Sequence, residues 1–546
     1  MGAKEYRKVK QRIINPICLV VLACTVLLGL TGCGDRQAVG DSTGTPVVLK
    51  LEGGDWGFPD PWKHYSRGPG GYKMELIFDS LLEKDEKGLI PWLAEKWTVS
   101  PDSREYTFTL RDKVTWHDGQ SFSADDVKFS FDYYRDHPPV WNELTVDGKF
   151  IVEKVEVMDG RTVKIRVDSP NATYLERLGS MRIIPKHIWE NVTDPLKFNA
   201  REAAVGCGPY VLEDYNSQLG TYRLTAYQGY WGPRQKVAAI EWVPVSDPVL
   251  AFEQGEIDLL TDDATPDILS RYENKEEFKI MPNQPFWGYR LILNMDKRPE
   301  LKDVNLRKAL AYGIDRQEMV EKIARGSGIV DSMGFVPPGH IWYNDQVARY
   351  AFDAEKAKAL LDGKTYTFDL LIGVSSQEAK TGNNTSRDVK IGELMKISLA
   401  KIGITLNVKT VDTKTRDNAV KNGDYELAVT NHGGWGNDPD YLRDYYGSST
   451  TNDRSSPASG ALPGYFNQEI YDLCQKQMRQ LNPEERKKTI FRLQELIAAD
   501  VPQIPLFNTV DNFVFRPAKY DGWMFRYDHN YMEHCKLSYL ERAQDE

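Results

Sequence analysis

Over residues 93–133 the chain alternates, breaks and then changes period. Tyr106, Phe108 and Leu110 are apolar and alternate with Thr107, Thr109 and Arg111, the period-two pattern of a strand with one buried face. His117-Asp118-Gly119-Gln120 supplies a turn, and beyond it Val127, Phe131 and Tyr134 recur at i, i+4 and i+7, so the spacing predicts a helix with one buried stripe. Ser123 and Asp126 stand before that stripe at capping-box spacing. Downstream the two periods keep exchanging. Strands are predicted over 47–51, 240–245, 257–260, 287–294, 366–372 and 404–408. Helices are predicted over 248–254 and 389–401, and after Asp303, Asp315, Asp353, Asn467 and Asn482. Such alternation is the signature of α/β architecture. Runs at 151–158 and 162–167, separated by Asp159-Gly160, predict a hairpin with a type I′ turn.

Several residues invite a chemical reading. His117 beside Asp118 has the composition of a general base with its orienting carboxylate, but neighbours on a tight turn point in different directions. The chain also has no G-x-S-x-G elbow to supply a nucleophile. The turn is therefore read as structural, and no catalytic residue is expected. Gly206-Cys207-Gly208-Pro209 has neither the lysine nor the glycine spacing of a phosphate loop. His529, His534 and Cys535 lie close together without a fourth spaced ligand, and there is no C-x-x-C or H-E-x-x-H, so no metal site or cofactor is expected.

The N-terminus changes the picture of where the chain works. Lys4, Arg7, Lys8, Lys10 and Arg12 precede an apolar run over 17–30, shorter than the roughly 20 residues of a membrane span, so 1–32 reads as an export signal. Leu30-Thr31-Gly32-Cys33 resembles a bacterial lipobox, which makes Cys33 the candidate lipidation site and 33–46 a lipidated tether. The protein is then held on the outer face of the cytoplasmic membrane by its acyl chains. With 546 residues, 41% hydrophobic, 27% charged and a formal charge of −10, the remainder has a globular composition, too large for one core and too acidic for a nucleic-acid surface. Beyond the signal and Cys33 only Cys207, Cys474 and Cys535 remain, which allows one internal disulfide at most.

The run LAEKWTVSPDSREYTFTLRDKVTWHDGQSFSADDVKFSF resembles the signature of family five of the bacterial extracellular solute-binding proteins, the peptide and nickel class of ABC-importer receptors. Residues 291–320, 352–361 and 465–507 echo the same family in its order. The resemblance implies a two-lobed, periplasmic-binding-protein-like clamp of class II, of α/β type, with an extra α+β domain inserted in the first lobe. Its expected division is 47–77 and 205–290 in lobe I, 78–204 in the inserted domain, 291–508 in lobe II and 509–546 returning to lobe I. Two chain crossings would join the lobes near 287–293 and 503–510.

The resemblance also implies the ligand contacts. Tyr65, Ser66, Arg67 and Gly68 fall in an irregular loop that borders the cleft in this family. Trp435, Gly436, Asn437 and Asp438 repeat the Trp-x-x-Asp spacing that supplies a carboxylate to a bound peptide's α-ammonium, a charge-assisted bond favoured in a dry cleft. Asp438 before Pro439 also fits an ordinary Asx turn, and Trp435 fits stacking on a sugar. The implied function is non-catalytic: a monomeric receptor that captures oligopeptides or dipeptides and delivers them to a membrane permease. A nickel chelate or an oligosaccharide is the alternative ligand, and a secreted hydrolase the alternative class.

Overall fold

The computed structural model describes residues 47–64, 70–85, 88–140, 142–146, 148–261, 265–282, 285, 287–374, 386–432, 438–447, 462–524 and 534–541. The strand predicted from Tyr106, Phe108 and Leu110 is Glu105–Leu110, with those three side chains buried. It lies inside a four-stranded antiparallel sheet ordered Ala94–Val99, Glu105–Leu110, Thr162–Val167, Val152–Asp159. The helix Ala124–Asp136 packs Val127, Phe131 and Tyr134 into the same core. Its start is fixed by Asp126, whose Oδ2 accepts the Ser123 backbone N–H at 2.9 Å, so one of the exposed donors at the helix entry is satisfied.

The hairpin forms with a different turn from the one expected. Asp159 pairs with Thr162, leaving Gly160 and Arg161 as the two central residues. Neither Asp159, Gly160 nor Arg161 has a positive φ, so the turn is not type I′. The Asp159 carboxylate instead accepts the Arg161 N–H at 2.8 Å, a local bond that favours negative φ and competes with the primed turn.

A second four-stranded sheet runs in the order Val48–Glu52, Ala239–Val243, Thr221–Ala226, Tyr210–Asn216. Its Leu49, Leu51, Ile240 and Trp242 belong to the same continuous apolar cluster as Phe108 and Phe131. The two sheets thus share one core. The Gly206–Pro209 turn is part of the joint: Gly208 N–H donates to the Ile77 carbonyl at 2.9 Å. A Cβ on Gly206 would sit 1.9 Å from that oxygen, so only glycine permits the approach.

The third sheet is the largest. Its order is Gly328–Val330, Gln503–Thr509, Trp287–Leu293, Leu427–His432, Tyr366–Val374, Ile404–Asp412. Tyr366–Val374 and Ile404–Asp412 are parallel and joined through the helix Arg387–Ala400, the connection a parallel pair requires. Leu291, Leu293, Leu370 and Leu506 fill a core separate from the first. Every residue of Gln503–Thr509 is buried, as expected of a strand covered on both faces.

The chain passes between the two cores twice, and the passing strands travel together. Lys279–Pro282 pairs with Asn512–Phe515 on one side, and Trp287–Leu293 pairs with Gln503–Thr509 on the other. The chain therefore passes between the cores after Pro282 and again between Thr509 and Asn512, beside the expected 287–293 and within or beside the expected 503–510; 287–293 and 503–509 are themselves central strands of the large sheet. Cys207, Cys474 and Cys535 are buried free thiols, so none of the three uses the disulfide that the count allowed.

Candidate ligand-binding cleft

The pairing directions bring particular strand ends to one edge of the large sheet. The C-terminal ends of Tyr366–Val374, Leu427–His432 and Gln503–Thr509 and the start of Trp287–Leu293 lie together. Ligands of open α/β sheets bind outside such carboxyl ends, where the flanking loops diverge. At this edge there is a cavity of about 350 Å³ lined from both sides of the crossings, by Thr261, Thr265 and Asp267 on one and by Arg325, Arg387 and Lys390 on the other. Thr509, Val510, Asp511 and Asn512 of the returning strand close its base.

The charges in the cavity are unequal. Arg325 pairs with Asp267. Arg387 meets the Tyr289 hydroxyl at 3.4 Å and lies 5.8 Å from that ring. Among the described residues neither Arg387 nor Lys390 has a carboxylate within ion-pair distance. Two such cations amid the hydroxyls of Thr261, Thr265, Ser327 and Thr509 form a polar surface suited to an anionic group.

The strand leading into 433–437 is anchored firmly. His432 is buried with its Nε2 3.2 Å from Asp331 Oδ2, and burial pushes its pKa down against the opposing pull of Asp331. It fits there because residue 288 is glycine: a Cβ would lie 2.2 Å from His432 Cε1. Arg290, on the same crossing strand, stands 4.6 Å from the Tyr445 ring centre and donates to Gln503 Oε1 at 2.8 Å and Thr430 Oγ1 at 3.0 Å.

Of the residues expected to touch ligand, Tyr65, Ser66, Arg67, Gly68, Trp435, Gly436 and Asn437 lie outside the described residues, as does Cys33. Asp438 is described. Its two oxygens accept from Arg486 Nη1 and Nη2 at 2.5 and 2.7 Å, and Oδ1 also accepts the Asp440 N–H at 2.9 Å, the Asx turn anticipated as an alternative. Burial pushes the carboxyl up, and Arg486 outweighs it and holds the pKa below the usual range. Arg486 continues to Gln477 Oε1 at 2.7 Å, and Gln477 to Asp440 Oδ1 at 3.0 Å. This chain of bonds ties the start of the Tyr441–Tyr446 helix to Gln468–Gln477 and Pro483–Asp500. Sequence reasoning missed Arg486, Arg387 and Lys390. The last two stand at i and i+3, one face of a helix, which was the available signal.

His117 and Asp118 are not paired with one another. His117 Nδ1 accepts the Gly206 N–H at 3.2 Å and Nε2 donates to the Gly208 carbonyl at 3.0 Å, so the ring is a neutral strut under the Gly206–Pro209 turn. Asp118 instead meets His187 Nε2 at 2.7 Å. Among the described residues no cluster of three His, Cys, Asp or Glu could hold a metal ion, and no helix is long and apolar enough to cross a membrane.

The profile of the bacterial extracellular solute-binding proteins, family 5 Middle, matches residues 88–454. The dipeptide-binding protein of Escherichia coli K12 is 28% identical over 379 residues, covering 64% of this chain and 69% of that protein. Heme-binding protein A of Haemophilus influenzae is 27% identical over 464 residues, covering 80% and 82%. Among solved structures, the ABC transporter substrate binding protein CtaP of Listeria monocytogenes superposes with a TM-score of 0.71 at 23% identity, covering 86% of this chain and 94% of that one. That likeness extends over both cores and supports the two-lobed clamp.

Proposed function

The chain belongs to family 5 of the bacterial extracellular solute-binding proteins, and from that premise we propose that it is the lipid-anchored receptor of an ABC importer for short peptides. On this reading Cys33 carries the anchor, the lobes close about the two passages of the chain between the cores, and a single copy presents the ligand to the permease. The observation that carries the ligand class is the cavity between the crossings, whose Arg387 and Lys390 lack carboxylate partners among the described residues. A peptide's carboxylate would pair with them through charge-assisted hydrogen bonds. Its ammonium would go to Asp438. Arg486 takes one site on each oxygen and the Asp440 N–H a third, and a carboxylate has about four, which leaves one for the ammonium. Tyr65, Ser66, Arg67, Gly68, Trp435, Gly436 and Asn437 would line the path between. The names of the two relatives divide between dipeptide and heme, and both of those ligands carry carboxylates, which the cationic lining accommodates.

The test is calorimetry on wild type and on Arg387→Gln/Lys390→Gln, each with one binding peptide and its C-terminal amide. Amidation should weaken wild type by about thirty-fold or more and the double variant far less, since both changes delete the same contact. Equal losses in the two proteins would remove the cavity from carboxylate recognition. Binding of a nickel chelate or an oligosaccharide with no peptide bound would overturn the ligand class and leave the receptor role standing.

A further inference from the structure

The inserted domain and the second core also meet at a backbone bond flanked by charges. Ala172 N–H donates to the Met478 carbonyl at 2.7 Å, a single backbone bond between segments more than 300 residues apart. On either side of that bond stands an ion pair belonging to one lobe alone. Lys84 Nζ lies 2.7 Å from Glu176 Oε1, with the lysine side chain 8% exposed. Glu176 is on the helix Tyr174–Ser180, two residues beyond Ala172. Across the junction Arg486 holds Asp438, and Arg486 is tied to Gln477, the residue before Met478.

Lys84 acts on Asp438 as an attractive charge, and Glu176 acts likewise on Arg486. Each pair is neutral within its own lobe, so neither needs the other in order to fold. Brought together, however, the two pairs attract as complementary dipoles in a setting partly removed from water, where screening is weak. We propose that the Lys84–Glu176 and Asp438–Arg486 pairs form an electrostatic latch that holds the two lobes together in the absence of ligand. The latch sets the resting ratio of closed to open receptor, and with it the fraction of molecules that a ligand must first open. Because Glu176 and Asp438 keep 32% and 23% of their side chains exposed, it still weakens with ionic strength. The inference rests on the two-lobed clamp, and because Asp438 is also the proposed ammonium partner, its test is made without ligand.

The experiment needs no ligand. Met158 and Ile397 are exposed, at 56% each, on the inserted sheet's hairpin and on the Arg387–Ala400 helix. Replacing both with cysteine for spin or fluorophore labels reports the distance between lobes in the ligand-free protein, since the native thiols Cys207, Cys474 and Cys535 are buried. The decisive variant is the exchange Lys84→Glu/Glu176→Lys. It preserves the pair inside its lobe and reverses its sign toward Asp438 and Arg486. Wild type should show a short-distance population that shrinks as salt rises from about 0.05 to 1 M. The exchange should lower the closed-to-open ratio about tenfold at low salt and invert the salt response, since repulsion is what salt then screens. A second variant, Lys84→Met/Glu176→Gln, should lie between the two with little salt response. Distances and salt dependence identical to wild type in the exchanged protein would overturn the latch. A folded exchange variant is verified by an unchanged unfolding midpoint of the first core, and if it misfolds the neutral variant decides alone.

Discussion

His117 should make the first core sensitive to mild acid, and the size of the effect follows from its surroundings. Burial pushes its pKa down to about 4, against the raising influence of the Gly208 carbonyl and Asp118. In the unfolded chain the imidazole returns to about 6.5. The folded pKa is the lower of the two, so the unfolded state binds the extra proton between these values. Stability is complete above about pH 6.5 and is lost as pH falls toward 4. A gap of about 2.5 units corresponds to about 3 kcal/mol at the acid limit, and to about 2 kcal/mol at pH 5. Part of the residue remains exposed, so water screening makes these upper bounds. Protonation would also place a proton on Nδ1, where the Gly206 N–H now donates, turning one hydrogen bond into two opposed donors.

His117→Gln isolates the effect, because a carboxamide can still accept from Gly206 and donate to Gly208 but does not titrate. Urea unfolding followed by tryptophan fluorescence at pH 7.5 and pH 5.0 is the assay. Trp116, Trp189 and Trp242 are wholly buried in the core that His117 supports. At pH 7.5 the variant should be somewhat less stable than wild type. Between the two pH values wild type should lose up to about 2 kcal/mol more than the variant, with all other titrating groups cancelling in the comparison. If both proteins lose the same amount, His117 is not held neutral by the Gly206–Pro209 turn and the strut assignment is wrong.

Two further outcomes are expected. Cys33→Ser should move the protein from the membrane fraction to the soluble one, because acyl chains are the only anchor proposed; a variant that stays bound after its signal is removed would rule out the lipobox. N-acetylation of a binding peptide should cost wild type about thirty-fold or more by calorimetry and Asp438→Asn little, whereas equal losses would leave Asp438 with its Arg486 pairing and Asx turn alone.

What could be read from the sequence and what could not divide along a physical line. Tyr106, Phe108 and Leu110, the Val127 to Tyr134 stripe and the Asp303, Asp353, Asn467 and Asn482 caps were all legible. In each case the forces that shape the element act between residues a few positions apart, and burial of one face imposes a period. The Asp159-Gly160 turn failed within that range, because two local preferences competed and the side-chain bond to Arg161 prevailed over glycine's tolerance of positive φ. That 287–293 and 503–509 are central strands beside the crossings could not be read locally, because strand pairing is decided by partners more than 200 residues away. Asp438 shows the limit most sharply. Its Asx turn was visible from Pro439, whereas Arg486, 48 residues on, sits on the buried face of its helix beside Thr489 and Ile490, a place for which its charge gives no sign. Period and spacing say which face of that helix a side chain occupies, but only tertiary packing says which charge it meets. The same holds for Arg325, Arg387 and Lys390, surface cations that gain a common cavity only when the fold places Thr261 and Asp267 opposite them. A cleft assembled from four distant segments leaves no pattern in any one of them, so its electrostatics emerges only once the sheet order is known.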